Sequence, residues 1–332
     1  MVTKTINKLP KSQVEVTITV PWADIEPRWN EMFAKLASEV EVAGFRKGQA
    51  PANMVEPRIA NTLQQEVFKI VMPQALIEAL QGSNIVPIDY PQYNVTAFVK
   101  GGQLVFTAKV TERPTVKVGN YKILNAKRPP QKQITDSDIQ KVIDDLFNRW
   151  KARNPQNAQA TMDDIFAKGV GAESLADLKT KIKTDLENEA KYNNELDYEE
   201  SILQEVEKVT NVDIPEVLIQ DEMNRMMLSL QRNVSDRGML LEEYLKTQNK
   251  TADQIKAEWR PQAERNVRME LGLSEIARNE NVNITDEELQ AEIDKIQDAR
   301  VKSQFAAQEP RMHLRHALRQ TKTLNLLKTI VK

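Results

Sequence analysis

From Ser174 onward, apolar side chains recur at spacings of three and four with few breaks, and that period admits amphipathic helix and little else. Ser174-Leu175-Ala176-Asp177 offers a cap, and the stripe then runs through Leu178, Ile182 and Leu186 to Ile202, Leu203, Val206 and Val209. Unbroken, this helix approaches ~50 Å at 1.5 Å per residue. Pro215 opens a second helix through Leu218, Met223, Met226, Met227, Leu230 and Val234, ending near Gly238. A short helix from Met239 to Lys246 follows, then a long one from Thr251 carrying Trp259, Val267, Leu271, Leu273 and Ile276, which Pro261 is expected to kink or divide. Ile284-Thr285-Asp286-Glu287-Glu288 has the spacing of a capping box, and Arg311 to Lys332 is a basic helix with Leu314, Leu318, Leu324, Leu327 and Ile330. With aromatics at 5% of 332 residues, one compact sphere would lack core, so extended helical arms are expected.

The N-terminal third has a different period. Val14, Val16, Ile18 and Val20 alternate with polar residues, as in a half-buried strand. Ile25, Trp29, Phe33, Leu36 and Val40 then form one stripe of a helix from Trp22 to Val40. After a loop, Pro51 starts a helical stretch that Gly82 stops. Tyr93, Val95, Ala97 and Val99 predict one face of a strand, and Leu104, Phe106, Ala108 and Val110 one face of its partner, joined through Lys100-Gly101-Gly102 as a hairpin. The predicted organisation is an α+β domain over 1–112, an extended linker and a helix over 113–160, and an all-α, multi-helix arm domain over 161–332, elongated as a whole. Thr135 caps the helix of the middle segment, whose stripe is Ile139, Val142 or Ile143, Leu146 and Trp150; the run from Ala152 to Thr161, containing Asn154-Pro155-Gln156-Asn157, ends it.

Composition narrows the chemistry. The net charge is −2 with both signs interspersed, so any nucleic-acid contact must be local. Cysteine is absent, which removes disulfides, thiolate metal sites and cysteine nucleophiles. Met1 to Val20 lacks the charged start and apolar run of a secretory signal, and no stretch approaches the ~18 apolar residues of a membrane span, so a cytoplasmic protein without membrane contact is expected. The two histidines, His313 and His316, share one helix face but are crowded by Arg311, Arg315 and Arg319, and two ligands from one helix are too few for zinc. Neither a phosphate-cradling lysine loop nor a nucleophile elbow is present, so no catalytic residue, metal or cofactor is assigned.

Gly44-Phe45-Arg46-Lys47-Gly48-Gln49-Ala50-Pro51 carries the functional signal. Glycines permit turns and the proline favours the first turn of the next helix, so Phe45, Arg46 and Lys47 should sit at a loop tip. An aromatic ring offered to water beside two cations suits an acidic partner with an apolar notch. The competing reading folds Phe45 inward and leaves the cations as ordinary solubilising charges. A softer signal is Met223, Met226, Met227 and Leu230, with Met239 and Met269 elsewhere: flexible side chains on arm helices that suit varied apolar partners, or simply fill gaps between helices.

Gly-Phe-Arg-x-Gly-x-x-Pro resembles the ribosome-binding motif of trigger factors, bacterial chaperones that meet nascent chains at the ribosomal exit tunnel, and each fixed position is met here. Asn211-Val212-Asp213-Ile214-Pro215 is similar to the turn entering a helix of the family's C-terminal domain, and Gln131 to Asp138 to the start of its linker helix. The resemblance implies that Gly44, Phe45, Arg46, Lys47, Gly48 and Pro51 form the dock on an exit-tunnel protein of the large subunit and adjacent ribosomal RNA. It implies too that the arms, through Met223, Met226, Met227 and Leu230, hold nascent or unfolded polypeptides without ATP, and that a homodimer off the ribosome is open. Most trigger factors insert a peptidyl-prolyl isomerase domain of the FK506-binding class after the linker helix. Here roughly a dozen polar residues join Arg149 to Asp163, far below the ~100 of a typical domain, so that domain is expected to be missing. Residual isomerase activity, a periplasmic chaperone and a dimeric scaffold remain as competing readings.

Overall fold

The computed structural model describes residues 2–154 and 161–331. Along the chain the first elements are strands β1 (Thr3–Leu9) and β2 (Gln13–Pro21), helices α1 (Trp22–Ala37) and α2 (Ala52–Leu80), and strands β3 (Gln92–Phe98), β4 (Gln103–Thr111) and β5 (Lys117–Val118). Helices α3 (Asp136–Arg153), α4 (Asp164–Gly169) and α5 (Leu175–Val209) follow, then β6 (Thr210–Asn211), α6 (Glu216–Asp236), α7 (Leu241–Thr247), α8 (Ala252–Asn279), α9 (Asp286–Asp294), α10 (Ala299–Gln304) and α11 (Gln308–Ile330). By contact the chain forms two compact units, one of Met1–Val116 with Val212–Arg268, the other of Lys117–Asn211 with Met269–Lys332. The architecture is a small α+β region with a multi-helix remainder. The predicted terminator Pro155-Gln156-Asn157 lies outside the described residues.

In the first unit, an antiparallel sheet in the order β1-β2-β4-β3 packs one face on α1 and α2. Alternation decides which face: Val14, Val16, Ile18 and Val20 of β2 and Leu104, Phe106, Ala108 and Val110 of β4 are all buried. Burying a side chain of this size contributes about 1.5–3 kcal/mol, which fixes the register. Along β3 the predicted face is corrected. A bulge between Val95 and Ala97 switches the strand's parity, so Phe98 turns toward the core opposite Leu104 while Val99 is left 61% exposed. Phe98 lies 5.6 Å from Trp29 and 5.1 Å from Phe68 between ring centroids, an aromatic cluster that the expected alternation would have broken.

Two helix expectations also change. α1 ends at Ala37 rather than Val40, because Ser38 and Glu39 turn the backbone and Ser38 Oγ donates to the Lys35 carbonyl at 2.7 Å. α8 runs through Pro261 as one helix instead of dividing there. Burial of Ile255 before the proline and of Ala263 and Val267 after it holds both halves in place despite the missing hydrogen bond.

In the second unit, Thr135, Ser174 and Thr285 cap α3, α5 and α9 as their spacing predicts, with reciprocal capping boxes to Asp138 and Glu288. Ile139, Ile143 and Phe147 of α3 bury against Phe166 of α4 and against Leu178 and Ile182 of α5. The connector is extended but packed: Leu124 and Ala126 are buried with Tyr198, Ile202 and Val206 of α5, and the Arg128 guanidinium lies 4.5 Å from the Tyr198 ring centroid.

Candidate functional site

The loop joining α1 to α2 consists of two consecutive turns. Phe45 N donates to the Val42 carbonyl at 3.0 Å, and Gln49 N to the Arg46 carbonyl at 2.9 Å. Gly44 and Gly48 occupy the third position of each, with φ of 87° and 76°, while Ala43 and Lys47 before them keep negative φ. That is the type II arrangement, in which the third residue must enter the left-handed region, so both motif glycines are required by the backbone. Gly48 has a second reason: a Cβ there would lie 3.2 Å from the Ser38 carbonyl oxygen. Pro51 is the N-cap residue of α2, so the loop hands directly into the helix.

The three side chains expected at the tip are all exposed, Phe45 at 42%. Among the described residues, neither the Arg46 guanidinium nor the Lys47 ammonium has a hydrogen-bond or ion-pair partner. Two residues outside the motif hold the loop down. Val42 is buried with the sheet and helices, and Arg58 of α2 donates to the Glu41 carbonyl at 3.4 Å. An apolar residue three positions before a solvent-facing phenylalanine is the one available signal for Val42.

The helical candidates separate. Met223 is only 3% exposed and packs inward, while Met226, Met227 and Leu230 are half-buried. The freely exposed apolar groups near them are Leu228 at 54%, and Met239 and Leu240 at 38% and 67% just beyond the C-terminus of α6. His316 Nε2 sits 3.1 Å from Glu270 Oε1, and His313 Nε2 3.8 Å from Glu309 Oε1. Among the described residues no group of three or more histidines and carboxylates is arranged to hold a metal, and no helix is long and apolar enough to cross a membrane.

Two family models match in tandem. One, described as bacterial trigger factor protein (TF), covers residues 2–146, and the other, its C-terminus, covers residues 174–329. The chain belongs to the trigger factor family. Trigger factors of Bacillus cytotoxicus and Macrococcus caseolyticus are similar at 26% and 25% identity, each over 85% of this chain and 87% and 88% of their own lengths. A solved structure described as "Promiscuous Substrate Recognition in Folding and Assembly Activities of the Trigger Factor Chaperone" shares the fold with a TM-score of 0.62, at 16% identity over 97% of this chain and 98% of that one. Trigger factors are chaperones, and this chain is a shortened form. Only residues 147–173 separate its two family matches, too short a segment for an inserted domain. The Bacillus alignment extends over 373 positions while covering 85% of this chain, so roughly 90 positions of that relative have no counterpart here, about the size of one small domain.

Proposed function

We propose that this trigger factor is an ATP-independent holdase that docks on the large ribosomal subunit beside the exit tunnel and holds nascent or unfolded polypeptides in the cytoplasm, assisting their folding and export. The observation that carries the reading is the loop: a ring and two cations without partners among the described residues, held outward on a backbone that glycines make free of strain. Arg46 would make a charge-assisted, directional bond to an acidic group on the ribosomal protein, with Lys47 a less directional cation beside it or toward RNA phosphate. Phe45 would fill an apolar notch between them. In this division, residues 1–112 dock, 113–160 link and 161–332 hold clients.

The client surface is proposed from exposed groups, chiefly Leu228, Met239 and Leu240 with the half-buried Met226, Met227 and Leu230 beside them. Several such small apolar contacts in one molecule hold an unfolded chain by avidity and still release it. Met223 supports the packing from below rather than touching a client. No isomerase activity is assigned, and an unchanged proline-limited phase in a refolding client would agree with that.

The deciding experiment is co-sedimentation with vacant bacterial ribosomes, wild type beside the Phe45→Ala/Arg46→Ala/Lys47→Ala variant. Pelleting of wild type and not of the variant, with equal thermal stability, supports the dock. If neither pellets, the protein is a ribosome-independent holdase or a dimeric scaffold. A variant that unfolds more readily places Phe45 in the core.

A further inference from the structure

The compact unit of residues 1–116 and 212–268 is built from two stretches of chain with separate apolar packing. Among the described residues, the buried cluster that holds the sheet to α1 and α2 contains no side chain from 212–268. The helical part, α6 to α8, buries apolar groups of its own, among them Ile219, Met223, Ile255 and Val267. No short tether joins the two, since the chain leaves the unit after Val116 and returns to it at Val212. A cleft of about 330 Å³ opens between them, with Gln13, Tyr90 and Lys109 on the strand side and Val217 and Gln220 on α6. Glu216 also lines this cleft, and it takes part in the polar contact at the tip of the β1–β2 hairpin. There Lys11 N donates to Asp213 Oδ2 at 2.5 Å, Ser12 Oγ donates to the Asp213 carbonyl at 3.3 Å, and Lys11 Nζ lies 3.4 Å from Glu216 Oε2. From α8, Arg260 Nη2 donates to the same Glu216 oxygen at 2.6 Å and so holds the carboxylate beside the tip.

A contact of this kind coheres weakly. The Lys11 and Glu216 side chains keep 54% and 37% of their surface in water, so solvent and salt compete for the bond they make. Parts that pack separately and meet through exposed polar groups are free to move against each other once those groups let go. We propose that the contact of Lys11 and Ser12 with Asp213 and Glu216 is a releasable latch. Closed, it makes α6 to α8 move with the sheet. Open, it lets them swing away from the sheet while both parts keep their folds, a hinge motion between two packed bodies. Leu228, Met239 and Leu240 ride on the part that moves, whereas the Gly44–Pro51 loop stays with α1 and α2. The latch lies at a different turn from that loop, so its opening leaves the loop's glycine-set backbone as it is. This inference goes beyond the proposed function and does not depend on it.

The chain has no cysteine, so two spin labels can be placed without background, at Thr5→Cys on β1 and Ser229→Cys on α6, both exposed positions. The test is the distance distribution between them, measured on the full chain by double electron–electron resonance. At low salt the latch should hold one narrow distance. At about 1 M salt, where screening acts within about 3 Å, that population should lose most of its amplitude to a broad, longer one while helix content by circular dichroism stays constant. Asp213→Ala/Glu216→Gln should produce the same loss at low salt. The proposal is overturned if the narrow distance survives high salt, or if it survives in the double variant at full helix content. It is overturned too if the distance changes in salt only as helix content falls, because the contact then maintains the fold rather than its orientation. Should the double variant fail to fold, the salt series on the unaltered latch decides. Neither ribosomes nor clients enter the measurement, so a rigid latch leaves the proposed function standing, and failed co-sedimentation leaves the latch standing.

Discussion

Two turns in the first unit carry lysine, and they end differently. In the loop between α1 and α2 the left-handed positions are glycines, and the cations Arg46 and Lys47 have no partners within the described chain. In the β1–β2 hairpin the left-handed positions are Lys11 and Ser12, with φ of 58° and 53°, each at a cost of about 1–2 kcal/mol. That tip is locked. Lys11 N donates to Asp213 Oδ2 at 2.5 Å, Ser12 Oγ donates to the Asp213 carbonyl at 3.3 Å, and Lys11 Nζ lies 3.4 Å from Glu216 Oε2. Glu216 is itself gripped by Arg260, whose Nη2 donates at 2.6 Å. The difference separates a turn whose side chains stay free from one whose tip is fixed within the molecule. A strained turn is held by partners inside the molecule, whereas a turn relieved by glycine keeps its side chains available to a partner outside it.

The largest effect should come from reversing charge at each tip. Arg46→Glu is expected to weaken ribosome co-sedimentation by about 2–3 kcal/mol, more than Arg46→Ala, since it adds repulsion to a lost bond. Lys11→Glu should leave co-sedimentation unchanged and lower thermal stability instead. Equal affinities for Arg46→Ala and Arg46→Glu would remove the charge-assisted contact. Lost docking in Lys11→Glu would erase the distinction between the tips.

Next in size are the glycines. Gly48→Ala should destabilise by about 2 kcal/mol, because it adds a close contact with the Ser38 carbonyl to the cost of positive φ. Gly44→Ala should cost about 1 kcal/mol, since a Cβ there meets nothing within 4 Å. Denaturant unfolding measures both. The reverse order would mean that steric approach to α1 does not shape the loop.

This contrast shows where sequence is legible. The loop could be read because glycine, proline and an isolated aromatic state their conformational needs locally. The caps Thr135, Ser174 and Thr285 could be read for the same reason, their bonds closing within three residues. The inner faces of β2 and β4 followed from strict alternation. What stayed hidden depends on distant partners. Lys11-Ser12 lacks the Asn-Gly signature of a tight hairpin turn, and the partners that hold it, Asp213 and Glu216, lie some two hundred positions away. The parity change in β3 is settled by Phe98 fitting among Trp29 and Phe68, which no count along the strand reveals. The methionine stripe of α6 announced an apolar face but not that Met223 is covered while Leu228 is bare. Nor does a local signal show that residues 212–268 share a compact unit with residues 1–116.

The smallest prediction concerns the latch that holds the hairpin tip. The Arg260 guanidinium, with help from Gln220 and Lys11, draws the Glu216 carboxyl down from 4.5 to about 2. A carboxyl whose folded value is depressed stabilises the fold fully above its unfolded pKa, and the benefit disappears as pH falls through the folded value. The latch should therefore contribute fully above about pH 4.5 and be lost on the way to pH 2. The Glu216 side chain keeps 37% of its surface in water, so screening limits the contribution to about 1 kcal/mol. Comparing wild type with Glu216→Gln isolates this group from the other carboxylates that titrate in the same range. Wild type should be the more stable at pH 6, and the gap should close as the pH approaches 2. The Gly44–Pro51 loop supplies the contrast: Arg46→Gln should show no such closing gap, because that cation has no carboxylate inside the described chain to lose. A gap for Glu216→Gln that is flat from pH 6 to pH 2 would mean that the hairpin tip is held by Asp213 alone.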